Sequence, residues 1–258
     1  MKFKRILGID IGGSGIKGSP VDIKSGELVE ARHRIPTPVP ATPESVAVVI
    51  KNLVDHFNWN GPVGCGFPAV VQNGIVKTAA NIDKSWIGCN AQELFTKTTG
   101  LPTLVINDAD SAGMAEVKFG AGKKFKGTIL LVTVGTGIGS VVFIKGRLLP
   151  NTEFGHIYLN SGQDAELFAS DAVRKNEGLG WDEWAKRFDE YLLEVERLLW
   201  PELIIIGGGV SKKIQKFSEY LTVKAKVVPA KLQNEAGLIG AALAAKVNKD
   251  YLMQGYRQ

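Results

Sequence analysis

Near its start the chain reads RILGIDIGGSGIK (residues 5–17), two apolar runs joined by a glycine-rich turn. Short apolar runs on both sides of such a turn predict two consecutive strands. The same pattern returns as TVGTGIGS at residues 133–140. Glycines lack a Cβ and let backbone N–H groups approach a phosphate, so each turn is a candidate phosphate site. Either turn alone also fits an ordinary connection, and their repetition is the more specific signal.

Outside these turns, strand patterns alternate with helical ones. Thr42 and Pro43 are typical of a helix start, and the longest helix is expected over residues 181–200. A third glycine-rich turn, GGGVS (207–211), follows a short apolar strand and leads into another helix. Strands followed by helices, twice over, predict an α/β chain with two similar halves that divide near residue 107.

Three local expectations can be compared directly with a structure. A hairpin turn predicts a third strand that ends near Ile35, and an apolar run predicts a strand over 64–71. The inner face of the longest helix should carry Trp184, Phe188, Tyr191, Leu192, Val195, Leu198 and Leu199.

Composition excludes several classes of protein. With 258 residues, 45% of them apolar and 22% charged, the chain lies near globular averages and is not of a disordered type. No run approaches the roughly 20 apolar residues of a membrane span, and the basic start lacks a cleavage site. The two cysteines, Cys65 and Cys89, are too few for a disulfide framework, which favours the reducing cytoplasm. The net charge of +5 fits either a mildly basic soluble protein or one with a polyanionic partner.

Two common nucleotide motifs do not fit. The GTGIG turn at 135–139 has a spacing close to a dinucleotide fingerprint, but a strand and not a helix is expected after it. The P-loop pattern GxxxxGK[ST] does not occur in the sequence. We also find no face on which aromatic and basic residues interleave, so no nucleic-acid partner is expected.

Five stretches, in this order, resemble the ROK family of sugar kinases and repressors. They are DIGGS (10–14) with Lys17, NDAD (107–110), GTGIG (135–139), EFGH (153–156) and GGGVS (207–211). The resemblance runs over essentially the whole chain. It implies the actin/hexokinase/Hsp70-like (ribonuclease H-like) fold, with two α/β domains around a central cleft. We therefore expect a small N-terminal domain over 1–107, a larger domain over 108–244, and a last helix, about 245–258, that packs back on the first domain.

Within that family, four stretches resemble the members that phosphorylate glucose with inorganic polyphosphate. They are GFPAVV (66–71), TAANIDKSWIG (78–88), PNTEFGH (150–156) and GGGVSKK (207–213). The resemblance implies transfer of a terminal phosphoryl group from polyphosphate to the 6-hydroxyl of glucose, with Mg²⁺ as cofactor. ATP is a further expected donor, because residues 207–211 resemble the adenosine-site motif of the family. Mannose is close enough to glucose in shape to compete, and a homodimer is expected, with the helix over 181–200 as one interface.

Asp108 follows a predicted buried strand at the start of a helix. From the residues alone, a helix N-cap accounts for it. The resemblance implies that it is the general base that takes the proton of the sugar hydroxyl. Asp10 fits a turn former equally well, and Lys17 fits a solvated strand lysine.

The resemblance also assigns the remaining site residues. Contacts to phosphate and Mg²⁺ are implied for Asp10, Gly12, Gly13, Ser14, Lys17, Gly135, Thr136 and Gly137. Sugar contacts are implied for Asn81, Asn107, Asp108, Glu153, His156 and Glu166. Contacts to nucleotide or polyphosphate are expected from Lys84, Arg147, Gly208, Gly209 and Lys212. Each basic residue in this set, taken by itself, also fits a solvated surface position.

The chain departs from many ROK members at one point. Those members follow the Glu-x-Gly-His motif with a CxCGxxGC zinc cluster, whereas residues 157–165 here read IYLNSGQDA. Without thiolates we expect no structural zinc and a His156 that is available to the sugar.

Two other functions stay open. The chain fits a strictly ATP-dependent ROK kinase and also a catalytically inactive sugar-binding protein. We do not expect a sugar-responsive repressor, because it would need a DNA-binding helix-turn-helix, for which a first motif at Asp10 leaves no room.

Overall fold

The structure, a computed structural model, describes residues 3–80 and 82–247 and forms two compact units. Among the described residues, unit 1 contains those up to Ala115 and again from Asn234 to Val247, and unit 2 contains Glu116–Gln233. The domain limits at 107 and 244 stay a prediction about the functional domains. The expected helix over 245–258 falls outside the described residues beyond Val247.

Unit 1 is built on a mixed sheet. Its strands are β1 (Arg5–Ile11), β2 (Ile16–Asp22), β3 (Glu27–Leu28), β4 (His33–Ile35) and β5 (Val63–Phe67), then a small hairpin of β6 (Val71–Gln72) and β7 (Ile75–Val76), and β8 (Thr103–Asn107). The order across the sheet is β3-β2-β1-β5-β8, with β4 also paired to β2. β1, β5 and β8 run parallel to one another, whereas β2 is antiparallel to β1.

Three helices follow these strands: α1 (Pro43–His56), α2 (Ala91–Thr99) and α3 (Asp108–Lys118). The Thr42 hydroxyl caps α1 by accepting the N–H of Ser45 at 3.3 Å, as the sequence predicts. The core of unit 1 lies between the sheet and the apolar faces of α1 and α2, where Trp86 packs edge-on against Phe67 and Phe95.

Unit 2 repeats the same theme. Its strands are β9 (Thr128–Val134), β10 (Ile138–Ile144), β11 (Arg147–Leu149), β12 (Leu203–Gly208) and β13 (Lys226–Pro229), in the order β11-β10-β9-β12-β13. Its helices are α4 (Ala165–Ala169), α5 (Asp171–Asn176) and α6 (Trp181–Leu199). The aromatic face of α6 fills the core, with Trp184, Phe188 and Tyr191 fully buried. Leu198 was expected on this face but is 54% exposed in the last turn of α6, one residue before the helix ends.

Short 3₁₀ turns complete the chain, over Lys84–Trp86, Phe154–His156, Gly209–Lys216, Ser218–Tyr220 and Gln233–Glu235. The helix expected after the third glycine turn is therefore a 3₁₀ segment, kinked at Lys213. No helix in the described ranges 3–80 and 82–247 combines the length and apolar character that a membrane crossing needs.

Two strands differ from their sequence-based limits because proline interrupts them. β5 ends at Phe67, since Pro68 has no N–H to extend the ladder. The third strand is split into β3 and β4, which pair with β2 on either side of Pro20. In the gap, the hydroxyl of Ser19 donates to the carbonyl oxygen of Glu30 at 2.8 Å and replaces a ladder bond.

The chain returns to unit 1 as α7 (Ala236–Val247), which packs against β1, β5 and β8 at backbone distance. A Cβ placed on Gly8 would lie 2.0 Å from the carbonyl oxygen of Leu238. One on Gly64 would lie 1.9 Å from the carbonyl oxygen of Ala241. Real Cβ atoms do not approach this closely, so both positions require glycine for the helix to sit on the sheet.

We predict that Gly64→Ala lowers the free energy of unfolding by about 2 kcal/mol or more, because the added methyl must push a backbone carbonyl away. Urea denaturation of both proteins measures the loss. Gly13→Ala is the matched control in unit 1, since nothing lies within 4 Å of its added Cβ. An unchanged stability of Gly64→Ala would show that α7 does not need this close contact.

Candidate active site

The carboxyl ends of three parallel strands form one edge of the unit 1 sheet. Asp10 on β1 is in register with Gly66 on β5, and Phe67 is in register with Asn107 on β8. Adjacent strands lie about 4.8 Å apart, which puts the backbones of Asp10 and Asp108 about 10 Å apart on this edge. Ligands of open α/β sheets bind outside such carboxyl ends.

The first glycine-rich turn connects β1 and β2 at the same edge. It is closed by the Gly12 N–H, which donates to the Gly15 carbonyl oxygen at 3.3 Å. The Thr37 hydroxyl braces it by donating to the Gly12 carbonyl oxygen at 2.5 Å. Gly13 and Ser14, at the tip, are exposed. The turn therefore presents open backbone to solvent, as a phosphate-binding turn must.

A cavity of about 150 Å³ adjoins this turn. It is lined by Gly12, Gly13, Thr37, Pro38, Val39, Ala41, Pro68 and Ile82. Two of the four stretches that resemble polyphosphate-using kinases, 66–71 and 78–88, contribute to its wall. Asn81, a predicted sugar contact in the second of these stretches, lies outside the described residues.

The acidic groups of this edge have defined partners. The Nζ of Lys17 lies 3.3 Å from the Oδ2 of Asp10, and both side chains are about three-quarters buried. The Oδ1 of Asp108 accepts the N–H of Ala109 at 2.8 Å, which is a helix-start contact. Lys17 is therefore paired with Asp10, and its charge is offset by that carboxylate.

Asn107 is buried and serves the backbone on two sides. Its Nδ2 donates to the carbonyl oxygen of Ala69 at 3.1 Å, and its Oδ1 accepts the N–H of Asp110 at 3.0 Å. These bonds fix the end of β8 against the loop that follows β5. They hold Asp108 in place at the sheet edge.

Unit 2 has a corresponding edge, where the parallel strands β9 and β12 end together. Gly208 is in register with Val134, so the turn at 135–137 and the turn that begins at Gly208 are neighbours. A Cβ on Gly208 would lie 2.2 Å from the carbonyl oxygen of Val134, and its φ is +74°. The two glycine-rich segments that were separate motifs in the sequence therefore form one surface.

Three predicted sugar contacts of unit 2 also lie near one another. Glu153 feels the charges of both His156 and Glu166. Desolvation raises the pKa of Glu153 although the residue is largely exposed, the nearby His156 lowers it, and Glu166 raises it. The cluster combines proton donors and acceptors, which suits recognition of hydroxyl groups.

The same cluster is tied to the glycine-rich turn. The Oε2 of Glu166 accepts the N–H of Ile138, the first residue after the turn, at 2.8 Å. A Cβ on Gly137 would lie 2.2 Å from that oxygen, so glycine is needed for the contact. Glu166 thus has one oxygen committed to the turn and the other left for additional contacts.

His156 has a carboxylate beside it. Its Nδ1 lies 3.4 Å from the Oδ2 of Asp164, which also caps α4 by accepting the Glu166 N–H at 2.9 Å. An Nδ1–H that donates to Asp164 leaves Nε2 as the atom for a ligand. Within 3–80 and 82–247, no three His, Cys, Asp or Glu side chains cluster closely enough to hold a metal ion.

The predicted basic contacts are placed unevenly. Lys84 is exposed on the 3₁₀ turn of unit 1, and Lys212 is exposed just after the Gly208 turn of unit 2. Arg147 begins β11 and pairs with Ile144, at the far end of the β9–β10 hairpin from the Gly135 turn. Strands of this length separate the two ends by about 20 Å, so Arg147 is within reach only of a long donor.

One basic residue beside the first turn was not singled out from the sequence. The Nη2 of Arg34 donates to the carbonyl oxygen of Ser14 at 2.5 Å and lies 3.5 Å from its hydroxyl. Arg34 sits on β4, twenty positions along the chain, and only the β2–β4 pairing brings it to the turn. Arg34 belongs to no linear motif. The only local signal is a basic residue in the short strand HRI (His33–Ile35).

Most of this chain is similar to known proteins. Residues 6–176 match the ROK family. Polyphosphate glucokinase of Mycobacterium tuberculosis is 47% identical over 240 residues, which cover 93% of this chain and 90% of that protein. Polyphosphate glucokinase of Mycobacterium leprae is 45% identical, over 93% of this chain and 74% of its own length.

Solved structures agree in fold. The inorganic polyphosphate/ATP-glucomannokinase from Arthrobacter sp. strain KM matches with a TM-score of 0.90 at 46% identity, covering 95% of this chain and 100% of that one. A ROK family glucokinase from Streptomyces griseus, in complex with glucose and AMPPNP, matches with a TM-score of 0.80 at 26% identity, covering 94% and 99%. The α/β fold of the actin and hexokinase type, predicted from the sequence, is confirmed.

We predict that Glu166→Ala lowers the free energy of unfolding by about 1–3 kcal/mol, because the Ile138 N–H loses its acceptor. Glu166→Gln keeps an oxygen at the same place and should stay within about 1 kcal/mol of the wild type. Urea denaturation compares the two variants. Equal stability of the alanine and glutamine variants would mean that Glu166 does not hold the turn.

Proposed function

The chain belongs to the ROK family, and from that membership we propose that it is a polyphosphate-dependent glucokinase. It is an enzyme, a phosphotransferase with an alcohol group as acceptor. The observation that carries the proposal is 45–47% identity to polyphosphate glucokinases over 93% of the chain. The Arthrobacter neighbour, at 46% identity, adds a structure of a polyphosphate/ATP enzyme with the same fold.

Asp108 is the proposed general base. In the reaction the 6-hydroxyl oxygen of glucose attacks the terminal phosphorus of the donor. The bond between that phosphorus and the bridging oxygen of the donor breaks, and the shortened donor leaves. The hydroxyl proton passes to the carboxylate of Asp108. Its place at the carboxyl end of β8, fixed by the bonds of Asn107, supports this role.

The donor phosphates are proposed to lie on the glycine-rich turns. In unit 1 the exposed tip offers the backbone N–H groups of Gly13 and Ser14 and the Ser14 hydroxyl, while Gly12 closes the turn and holds them in place. In unit 2 the turn Gly135, Thr136 and Gly137 adjoins the Gly208–Gly209 turn, which suits a donor that is either a phosphate chain or a nucleotide. Lys84, Lys212 and Arg147 are proposed for the more distant phosphates.

Mg²⁺ is the proposed cofactor. This ion is commonly held by one or two carboxylates together with substrate phosphates, and Asp10 at the edge of the turn fits as its single protein carboxylate. When bound it neutralises the charge of the transferring phosphoryl group. Lys17, paired with Asp10, orients that carboxylate.

The sugar is proposed to be held by Asn81, Asn107, Asp108, Glu153, His156 and Glu166. The proximity of the three last residues in unit 2 supports this assignment. Mannose is proposed as a second acceptor, consistent with the glucomannokinase activity named for the Arthrobacter enzyme. A homodimer and a cytoplasmic location are proposed as well, the latter from the unpaired cysteines Cys65 and Cys89.

We predict that polyphosphate is the preferred phosphoryl donor. Purified protein with glucose and Mg²⁺ should form glucose 6-phosphate from polyphosphate without added nucleotide, and more efficiently than from ATP. An enzymatic assay of glucose 6-phosphate, with donors in separate reactions, measures this. Product from ATP alone would identify a strictly ATP-dependent ROK kinase. No product from either donor across several hexoses would indicate a sugar-binding protein without kinase activity.

We predict that the proposed base, Asp108, is needed for turnover. Asp108→Asn keeps an oxygen for the Ala109 N–H and should preserve the fold, but its kcat should fall by about 10²–10⁴-fold because the amide cannot accept the proton. The matched control is Asp22→Asn, at a carboxylate that likewise accepts backbone N–H groups, from Lys24 and Ser25. Full activity of Asp108→Asn would remove Asp108 from the chemistry.

A further inference from the structure

Three charged residues stand in a row across the unit 1 sheet. Asp10 on β1 is directly opposite Lys17 on β2, and Lys17 is directly opposite Arg34 on β4. Side chains in direct register lie on the same face, about 5 Å apart at Cβ. The row therefore carries one negative and two positive charges beside the first glycine-rich turn.

The charges in this row do not cancel. Lys17 is paired with Asp10 at 3.3 Å. Arg34 forms no ion pair with any residue in the described ranges, although it is placed directly opposite another cation. Like charges in register repel one another, and Asp10 offsets only one of the two positive charges. The row therefore keeps one net positive charge beside the turn, which suits an anionic ligand.

The guanidinium also has donors to spare. Its contacts with Ser14 use only Nη2, and Nε and Nη1 make no hydrogen bond to described residues. Arg34 is exposed, so these groups are open to solvent at the tip of the turn. A planar guanidinium with several uncommitted N–H donors is well suited to bidentate binding of a phosphate.

The turn is shaped around this side chain. A Cβ on Gly15 would lie 2.3 Å from the Nε of Arg34, so any larger residue there would displace the guanidinium. The glycine at position 15 therefore admits Arg34 to the tip of the turn. The neighbouring Gly12–Gly13 backbone lines the cavity described above.

We propose that Arg34 binds the phosphate chain of the phosphoryl donor and supplies the net positive charge of the first turn. This rests on the proposed function, because it takes the donor to be a chain of phosphates. Lys17 then serves to orient Asp10, and Arg34 contacts the donor. The residue binds the donor and does not take part in proton transfer.

The test compares Arg34→Gln with wild type in steady-state kinetics with long-chain polyphosphate. Loss of a charge-assisted bidentate contact should raise the KM for polyphosphate roughly 10- to 100-fold. The KM for glucose should stay within about twofold, and the salt dependence of the polyphosphate KM should weaken, because one phosphate contact is lost. Arg34→Lys, which keeps the charge but not the fork, should fall between the two.

Arg32→Gln is the matched control. It removes the same charge two positions earlier, and Arg32 makes no described hydrogen bond or ion pair, so its KM for polyphosphate should stay near the wild-type value. An equal effect of both variants would overturn the proposal in favour of a diffuse basic surface. An Arg34→Gln enzyme with a lower kcat but an unchanged donor KM and salt dependence would show that Arg34 only braces Ser14.

The outcome is independent of whether the proposed donor is right. If wild-type protein uses ATP and not polyphosphate, the proposed function fails, and the same variants are judged by their KM for ATP. If neither donor reacts, calorimetric binding of tripolyphosphate to wild type, Arg34→Gln and Arg32→Gln decides. Weaker binding by Arg34→Gln alone supports the proposal, and equal binding by all three overturns it.

Discussion

Unit 1 depends on the close packing of the α7 backbone against the backbones of the parallel strands. Gly8 and Gly64 let the carbonyls of the helix approach to distances that exclude any Cβ. On the opposite side of the same contact, a Cβ on Gly240 would lie 1.6 Å from the carbonyl oxygen of Ser111, which follows Asp108 on α3. The Ser111 hydroxyl in turn donates to the Gly237 carbonyl oxygen at 2.7 Å. The helix α7 therefore fixes the positions of both β1 and α3. These two elements carry Asp10 and Asp108, the two acidic residues proposed for the active site.

Unit 2 positions its site by a different means, with carboxylates that bind loop backbone. Glu166 accepts the N–H after the glycine-rich turn, and Glu196 accepts those of Lys224 and Ala225 at 3.0 and 2.8 Å. Glu196 is buried and Glu166 is partly buried. Carboxylates removed from water are costly unless such donors satisfy them, so each one favours a single loop conformation. The turn at 135–137 is closed by the Gly135 N–H, which donates to the Gly137 carbonyl oxygen at 2.9 Å, and it is held from outside by Glu166 of α4.

Much of this arrangement could be predicted from the sequence. The hairpins, α1, α2 and the run of β8 into α3 carry strong local signals, and the ordered motifs indicated the fold and family. Local signals failed where the structure depends on partners distant in sequence. β13 is a short edge strand with two apolar residues, and α4 and α5 are single turns within a polar segment. The strand opposite Pro20 is split only because it pairs with β2, and Leu198 is exposed because it lies in the last turn of α6, where the buried face of the helix ends.

The charge of the chain illustrates the same limit. A net charge of +5 predicts a polyanionic partner in general terms, but it does not say which cations meet the partner. In space, Lys17 is paired with Asp10, and Arg147 lies about one strand length, roughly 20 Å, from the Gly135 turn. Arg34, which belongs to no motif, is the cation at the first turn. If Arg34 binds the donor as proposed, recognition of a phosphate chain depends on register across β1, β2 and β4, since register decides which positive charge has no ion-pair partner among the described residues.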